Sequence, residues 1–201
     1  QYFKYFGIAD KLKLRKLDES GFDIICFNDG SEYRHAMGYD NFAQTLIESF
    51  PHEKDGILQY CDLLKKVGDQ ISPEIMREGR ISKGDLTYMS MPIYDEIAAR
   101  VKDPVLRNVL AGSNGLYGCD RNKTSVYEHA MINHSNIEGS YRFLGGTQHV
   151  VEEMEKVIRS NGGELYTSAR VSRIHLEGDK AEYVELEDGE RIYADYVVSS
   201  L

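Results

Sequence analysis

The order of apolar and polar positions predicts a small β-ribbon near the start of the chain. Residues 22–27 are apolar and β-branched enough for a strand, and residues 31–36 offer a second one. Between them, Asn28-Asp29-Gly30 supplies residue types that tolerate positive φ, as a tight turn requires. The pattern therefore predicts a β-hairpin ahead of the first long helices.

Two helices are predicted after the hairpin. Asp40 stands at an N-cap position before apolar residues at helical spacing, and Pro51 ends that helix and begins the next. The second helix carries one apolar stripe and runs to about Gly68. Residues 72–91 have a poor pattern that is broken by glycine and proline, which predicts a loop with a short helix.

Two more helices are predicted in the middle of the chain. Asp103-Pro104 places an N-cap before a proline at the first helical position, and this helix ends near Gly112. The glycine-rich residues 112–118 follow as a loop, and another helix is expected from Thr124 to about His134.

The last third changes character at Gly145-Gly146. An amphipathic helix follows with Glu152, Glu153 and Glu155 directed outward, and it ends at residues 161–163. Strand patterns and Gly-Asp or Asp-Gly turns then predict an antiparallel meander. Its four expected strands are residues 164–167, 171–176, 181–186 and 191–198.

These elements predict a mixed α/β chain, α+β when taken alone, in two parts. Residues 1–139 form a mostly helical domain with a small β-ribbon, and residues 140–201 contribute a helix and β-meander to a second, incomplete domain. The apolar patterns at both ends predict an internal segment of a larger protein.

Composition and charge remove several classes of function. A net charge of −9 and a pI near 5.2 argue against a nucleic-acid surface. The basic run at residues 11–16 is interpreted as a solvated strand or helix edge. Three cysteines without a Cys-x-x-Cys pair predict a reducing, cytoplasmic location without structural zinc. The sequence contains no apolar stretch of membrane-spanning length, so no integral membrane segment is expected.

The residues offer few candidates for catalysis. Gly112, Gly115 and Gly118 have the wrong spacing for a dinucleotide-binding turn. His129 and His134 are five residues apart on a predicted helix, so they point to different faces and predict no metal site. No Gly-x-Ser-x-Gly motif indicates a hydrolase. The sequence therefore assigns no catalytic residue.

The tyrosines and one glycine pair are the remaining candidates for binding. Tyr117, Tyr127 and Tyr141 lie in less regular segments, where they either line a pocket for an apolar ligand or form half-buried core. Gly145-Gly146 either opens a helix whose N-terminus accepts an anion or a flavin edge, or is an entry turn.

The order and spacing of several short motifs resemble one family of enzymes. They are Tyr141-x-x-x-Gly-Gly-Thr-Gln, Asn161-Gly-Gly-Glu-Leu, Ala169-Arg-Val-Ser-Arg-Ile, Asp188-Gly-Glu and Ala194-Asp-Tyr-Val-Val-Ser-Ser. Together they are similar to the middle of the FAD-dependent oxidoreductases of the phytoene desaturase, carotenoid isomerase and retinol saturase group. The likeness is strong over residues 141–200 and looser before them.

The resemblance implies a substrate-side domain followed by the return of the chain into an FAD/NAD(P)-binding domain. It implies that Val171 presents its backbone to the FAD adenine, and that Gly145, Gly146 and Ser199 lie near the cofactor. The implied substrate is a hydrophobic polyene, isoprenoid or lipid-like molecule that exchanges hydride with the flavin.

The sequence also departs from that family, because it lacks the Gly-x-Gly-x-x-Gly turn and the C-terminal glycine-rich segment. We therefore expect the chain alone to be inactive and to hold FAD weakly. Two alternatives stay open: a flavin-dependent amine oxidase, which an aromatic cage of two tyrosines would favour, and a stand-alone ligand-binding or interaction module. An exposed edge of the meander predicts a homodimer.

Overall fold

The computed structural model describes residues 2–70, 83–117, 120 and 122–200, without the side chains of residues 83–86. The described chain divides into two compact units. The larger one holds residues 13–146. The smaller one joins residues 2–12 to residues 147–200, whereas the sequence pattern places a domain boundary at residues 139/140.

The α-helices of the described residues are α1 (Tyr2–Tyr5), α2 (Tyr39–Ser49), α3 (Lys54–Gly68), α4 (Lys83–Ser90), α5 (Ile93–Arg100), α6 (Pro104–Leu110), α7 (Val126–Glu138) and α8 (Gln148–Ser160). The strands are β1 (Leu14–Lys16), β2 (Asp23–Cys26), β3 (Glu32–His35), β4 (Tyr141–Phe143), β5 (Val171–Glu177), β6 (Lys180–Leu186) and β7 (Arg191–Tyr193). In the described residues, helices and three small sheets thus make up the mixed architecture that the sequence predicts.

Two antiparallel ribbons belong to the larger unit. The predicted hairpin is confirmed as β2 paired with β3, with Gly30 at φ +87° in the turn. The second ribbon pairs β1 with β4, which are far apart in sequence. The interpretation of the basic run as a solvated strand is confirmed for residues 14–16, all of which are exposed.

The first long helices follow the prediction except at the cap of α2. This helix begins at Tyr39 after Gly38, whose φ of +81° turns the chain into the helix without a side-chain cap. Asp40 therefore lies in the first turn, and its prediction as the N-cap is wrong. Pro51 separates α2 from α3 through a short 3-10 helix, and α3 ends at Gly68 as predicted.

The middle helices are also largely as predicted. Asp103 caps α6, because its Oδ1 accepts hydrogen bonds from the N–H groups of Val105 (2.8 Å) and Leu106 (3.1 Å). The residues Gly112–Leu116 form a 3-10 helix rather than a plain loop. Helix α7 begins after Ser125 and runs to Glu138, four residues beyond the predicted end.

One helix has no counterpart in the prediction. Helix α5 buries Ile93 and Ile97 completely, one turn apart. The predicted short helix before it corresponds to α4, whereas residues 72–82 of the predicted loop lie outside the described residues.

The core of the larger unit is built around α3. Its buried residues Ile57, Tyr60 and Leu64 pack in one cluster with Ala130 and Ile137 of α7. Complete burial of an apolar side chain of this size stabilises a fold by about 1.5–3 kcal/mol. The packing of α3 against α7 therefore lies at the centre of this unit's core.

The smaller unit contains α8 and a three-stranded antiparallel sheet in the order β5-β6-β7. The meander is confirmed for these three strands. The predicted strand at residues 164–167 is wrong, and the last strand ends at Tyr193 rather than at residue 198. Strand-forming residues adopt a regular strand only where a neighbouring strand completes the ladder.

The predicted orientation of Glu153 on helix α8 is wrong. Glu153 was expected to face outward, but it is buried, and its carboxylate accepts a hydrogen bond from Lys156 at 2.6 Å. Lys11 lies 3.8 Å from the same carboxylate. The periodicity of α8 cannot show that Lys11, which lies outside this helix, is close to Glu153. No α-helix within the described residues has the length and apolar character needed to cross a bilayer.

Candidate flavin and substrate site

Val171 lies at the start of the edge strand β5. It pairs with Leu186, and the adjacent pair is hydrogen bonded because the Glu187 N–H donates to the Arg170 carbonyl at 2.9 Å. Hydrogen-bonded and non-hydrogen-bonded pairs alternate in an antiparallel ladder. The Val171 N–H and C=O therefore point away from β6, toward the open edge of the sheet.

This orientation suits a ligand that forms hydrogen bonds with backbone N–H and C=O groups. One donor and one acceptor at a single residue match the complementary groups on the edge of a planar heterocycle. A β-bulge lies between Val171 and Arg173, which interrupts regular pairing where this residue is presented. The geometry of Val171 thus fits the adenine contact that the sequence resemblance implies.

Gly145 and Gly146 form the turn between β4 and α8. Both adopt positive φ, +83° and +89°, and a Cβ at either position would meet no atom within 4 Å. Glycine is therefore required for backbone conformation rather than for space. The first turn of α8 has no side-chain cap, because Thr147 makes none. An uncapped helix N-terminus leaves backbone N–H groups for a ligand or for water.

Ser199 lies in residues 196–200, which have no regular secondary structure. The neighbouring Val198 is 96% exposed. The sequence pattern predicts that Ser199 follows the end of a strand, but the last strand ends at Tyr193.

Tyr117 is held by polar contacts inside the larger unit. Its hydroxyl lies 2.8 Å from Asn114 Oδ1, 2.7 Å from His129 Nδ1 and 3.2 Å from Ser113 Oγ. The amide of Asn133 donates to the same hydroxyl at 3.3 Å. The polar end of Tyr117 is thus occupied by protein groups, and its half-buried ring remains as the part that can meet a ligand.

His129 is the centre of this polar cluster, which sequence analysis missed. Its Nδ1 lies 2.8 Å from Asn114 Oδ1, an atom that only accepts, so Nδ1 carries the proton. Nε2 then accepts a hydrogen bond from the Tyr60 hydroxyl at 2.7 Å. Burial lowers the pKa of His129 to about 3 and raises the pKa of Tyr60 well above its usual value. The cluster is therefore neutral near pH 7.

A signal for this cluster is present in the sequence. Tyr60 lies on the buried side of α3 between Ile57 and Leu64, and a phenol on such a face needs a hydrogen-bond partner. His129 also lies on a predicted helix. The sequence alone does not show that the two faces meet.

The other predicted tyrosines lie elsewhere. Tyr127 is partly buried against the main core, whereas Tyr141 is 57% exposed on β4, opposite Lys16. In the described part of the chain, no hydrogen bond or ring contact joins any two of Tyr117, Tyr127 and Tyr141. The three residues do not form a common aromatic cage.

A cleft of about 620 Å³ opens on the larger unit beside α3. Its lining includes four charged side chains and three apolar ones: Asp62, Lys66, Glu96 and Arg100, with Leu63, Tyr88 and Met91. Arg100 is paired with Glu96 at 2.7 Å. This cleft is more polar than a pocket for an apolar ligand needs to be, and it contains none of the three predicted tyrosines.

Comparison with known proteins places the chain among flavoproteins. Residues 1–201 match the family described as flavin containing amine oxidoreductase. The phytoene desaturase (lycopene-forming) of Pantoea ananas is 27% identical over 218 residues, which cover 100% of this chain and 42% of that protein. The phytoene desaturase (lycopene-forming) of Paracoccus sp. (strain N81106 / MBIC 01143) is 25% identical over 191 residues, 90% of this chain and 38% of that protein.

A third relative matches a shorter region. The 4,4'-diaponeurosporene oxygenase of Staphylococcus aureus (strain USA300) is 27% identical over 105 residues, which are 52% of this chain and 21% of that protein. The chain thus spans about two fifths of the length of the two desaturases. Since the family match covers every residue of the sequence, the chain belongs to the flavin containing amine oxidoreductase family.

Proposed function

We propose that this chain forms the substrate-side and flavin-contacting parts of an FAD-dependent oxidoreductase similar to phytoene dehydrogenase. The enzyme would act on a hydrophobic polyene, isoprenoid or lipid-like substrate by hydride transfer to or from the flavin. The observation that carries the proposal is the family match over the entire chain, together with two relatives named as phytoene desaturases. In this proposal, residues 1–139 serve the substrate together with Tyr141, and the rest of residues 140–201 serve the cofactor.

Val171 has the best structural support as a cofactor residue. Its backbone N–H and C=O point to the open edge of β5, and its side chain is 44% exposed. Gly145 and Gly146 would add the uncapped N-terminus of α8, whose partial positive charge favours electron-rich groups. Ser199 completes the proposed set on the resemblance alone. The flavin, when bound, would supply the redox chemistry, and these residues would orient it.

The proposed substrate residues have different roles in this account. Tyr141 offers an exposed ring to an apolar chain, and Tyr127 offers a partly buried one. Tyr117 contributes its ring only, since its hydroxyl is held by Asn114 and His129. Aromatic rings bind hydrocarbon through area rather than through directed bonds.

The reaction is tested on the protein encoded by the complete reading frame. Purified protein is supplied with FAD and phytoene, and new double bonds are detected by absorption after chromatography. Oxidation of simple amines is measured in parallel. Desaturated or otherwise oxidised polyene without amine turnover supports the proposal. Amine turnover with no change in the polyene assigns the alternative, a flavin-dependent amine oxidase.

A matched pair of variants tests the role of the Val171 backbone in that protein. Val171→Pro removes the outward N–H without breaking the ladder to β6, because Pro is tolerated on the open side of an edge strand. Val171→Ala keeps the N–H and shortens the side chain. We expect weaker flavin binding in Val171→Pro only. Equal flavin affinity in both variants would remove Val171 from the cofactor site.

A further inference from the structure

The ribbon of β1 and β4 places two arginines directly opposite each other. Arg15 pairs with Arg142 in the register of this ribbon. The Leu144 N–H donates to the Lys13 carbonyl at 2.9 Å, and the Leu17 N–H donates to the Ser140 carbonyl at 3.0 Å. Successive side chains of a strand alternate between faces, so Lys13 shares the face of Arg15 and Arg142. We call Lys13, Arg15 and Arg142 the cationic face.

No carboxylate balances the cationic face within the described part of the chain. The two acidic residues that follow β1 are already engaged, since Glu19 is paired with Lys16 and Asp18 lies 3.9 Å from Arg34. All three members of the cationic face are exposed. Among the residues that the structure describes, the cluster thus presents three positive charges without a carboxylate partner.

This arrangement is unexpected in so acidic a chain. The formal net charge is −9, with 33 acidic and 24 basic residues. Like charges directly opposite each other destabilise an antiparallel pair. An anion lying between the two guanidinium groups would replace their repulsion with two attractive contacts, so the ribbon gains most from a ligand at this place.

We propose that the cationic face binds a phosphate group. An arginine guanidinium donates two parallel hydrogen bonds to phosphate oxygens, and two opposed guanidinium groups match the several oxygens of one phosphate better than they match a carboxylate. Lys13 adds a third charge, which suits a group that carries up to two negative charges. The exposed Leu144 on the same face is compatible with a phosphate at the end of an acyl chain.

Two probes distinguish the sources of the phosphate. Inorganic pyrophosphate is titrated into the 201-residue chain by calorimetry at low and at physiological salt. Separately, flotation measures binding to vesicles of phosphatidylcholine alone and of phosphatidylcholine with phosphatidylglycerol. Binding of pyrophosphate assigns a free phosphate ligand, whereas binding to the anionic vesicles alone assigns a lipid headgroup.

A matched pair of variants locates the binding. Arg142→Glu places a carboxylate opposite Arg15, so the ribbon should keep or increase its thermal stability while phosphate affinity falls at least tenfold. Lys123→Glu makes the same change in net charge at a side chain that is 84% exposed, and it should leave the affinity within twofold. The proposal is overturned if the chain binds neither pyrophosphate nor the anionic vesicles. An equal loss in both variants also overturns it, because the effect would then come from net charge.

Discussion

At the scale of single residues, the structure shows how burial fixes protonation. His129 is enclosed in the core, receives a hydrogen bond from Tyr60 and donates one to Asn114. A neutral imidazole with both nitrogens paired can be buried at low cost, whereas a charged one cannot. Removal of either hydrogen-bond partner should therefore lower the free energy of unfolding.

Tyr60→Phe tests the hydrogen bond to His129. The substitution keeps the ring in place but leaves Nε2 without a donor in a buried site, so we expect a loss of about 1–3 kcal/mol in the free energy of unfolding. Urea denaturation followed by circular dichroism measures it. Tyr2→Phe, at a side chain that is 80% exposed, is the control and should change little. Equal stability of the two variants would contradict the described contact.

The lowered pKa of His129 predicts a pH dependence of stability. Burial lowers this pKa from 6.5 to about 3, so only the unfolded chain takes up the proton as the pH falls below 6.5. The stabilising contribution is fully present above pH 6.5 and is lost as the pH falls toward 3. Between pH 6 and pH 5, the wild type should lose about 1 kcal/mol more than His129→Gln.

Urea unfolding at both pH values measures this difference. The buried His35, whose pKa is also lowered by burial, is present in both proteins. Parallel pH profiles for wild type and His129→Gln would show that His129 does not change its protonation on unfolding.

At the scale of elements, close contact between helices depends on glycine. A Cβ on Gly56 of α3 would lie 2.4 Å from the carbonyl oxygen of Arg100, which ends α5. Alanine favours a helix over glycine by about 1 kcal/mol, but a clash with backbone forces the helices apart.

Gly56→Ala should therefore destabilise the chain by about 1–3 kcal/mol despite its better helix propensity. Gln59→Ala, on the exposed side of the same helix, should stay within about 0.5 kcal/mol of wild type. Thermal and urea unfolding provide the values. A stabilised Gly56→Ala protein would mean that α3 and α5 do not approach each other as described.

The sheet of the smaller unit predicts association between copies. Strand β5 has an open edge, and Ile174, Val184 and Ile192 align across the three strands. Ile174 is 39% exposed. Open edges with apolar neighbours tend to pair with another strand. We expect a concentration-dependent dimer in analytical ultracentrifugation.

Ile174→Lys should shift this equilibrium to the monomer, because edge charges oppose strand pairing. Tyr196→Lys adds the same charge outside the sheet and should leave the dimer intact. A wild type that stays monomeric at high concentration would show that the edge does not mediate association.

The sequence predicts local elements well where one strong signal dominates. Asp103-Pro104 gives the start of α6, and Asn161-Gly162-Gly163 follows the end of α8. It fails where the outcome depends on a distant partner. Glu153 is buried beside Lys11, which is far away in the sequence, and in the described part of the chain no neighbouring strand pairs with residues 164–167.

The candidate site also has one part that the sequence predicts and one part that depends on distant contacts. The motif around Val171 was identifiable from sequence order, and the ladder then explains how its backbone is presented. The cluster at His129 was not identifiable, because it depends on the packing of α3 against α7. Periodicity indicates which face of each helix is buried but not which faces meet.

Taken as a whole, this chain carries only part of the proposed flavin site. Val171 and the Gly145-Gly146 turn offer backbone groups, but the sequence lacks the Gly-x-Gly-x-x-Gly turn that holds a dinucleotide pyrophosphate. Each missing charge-assisted hydrogen bond is worth about 1.5–3 kcal/mol. Loss of several should weaken FAD binding by about 100-fold or more.

The most direct measurement is a parallel FAD titration, followed by flavin fluorescence, of the 201-residue chain and of the protein encoded by the complete reading frame. We predict that the complete protein binds FAD tightly and that the chain alone binds it at least about 100-fold more weakly. Equally tight binding by the chain alone would mean that the cofactor site has been misplaced. Failure of the complete protein to bind flavin would contradict the proposed oxidoreductase function itself.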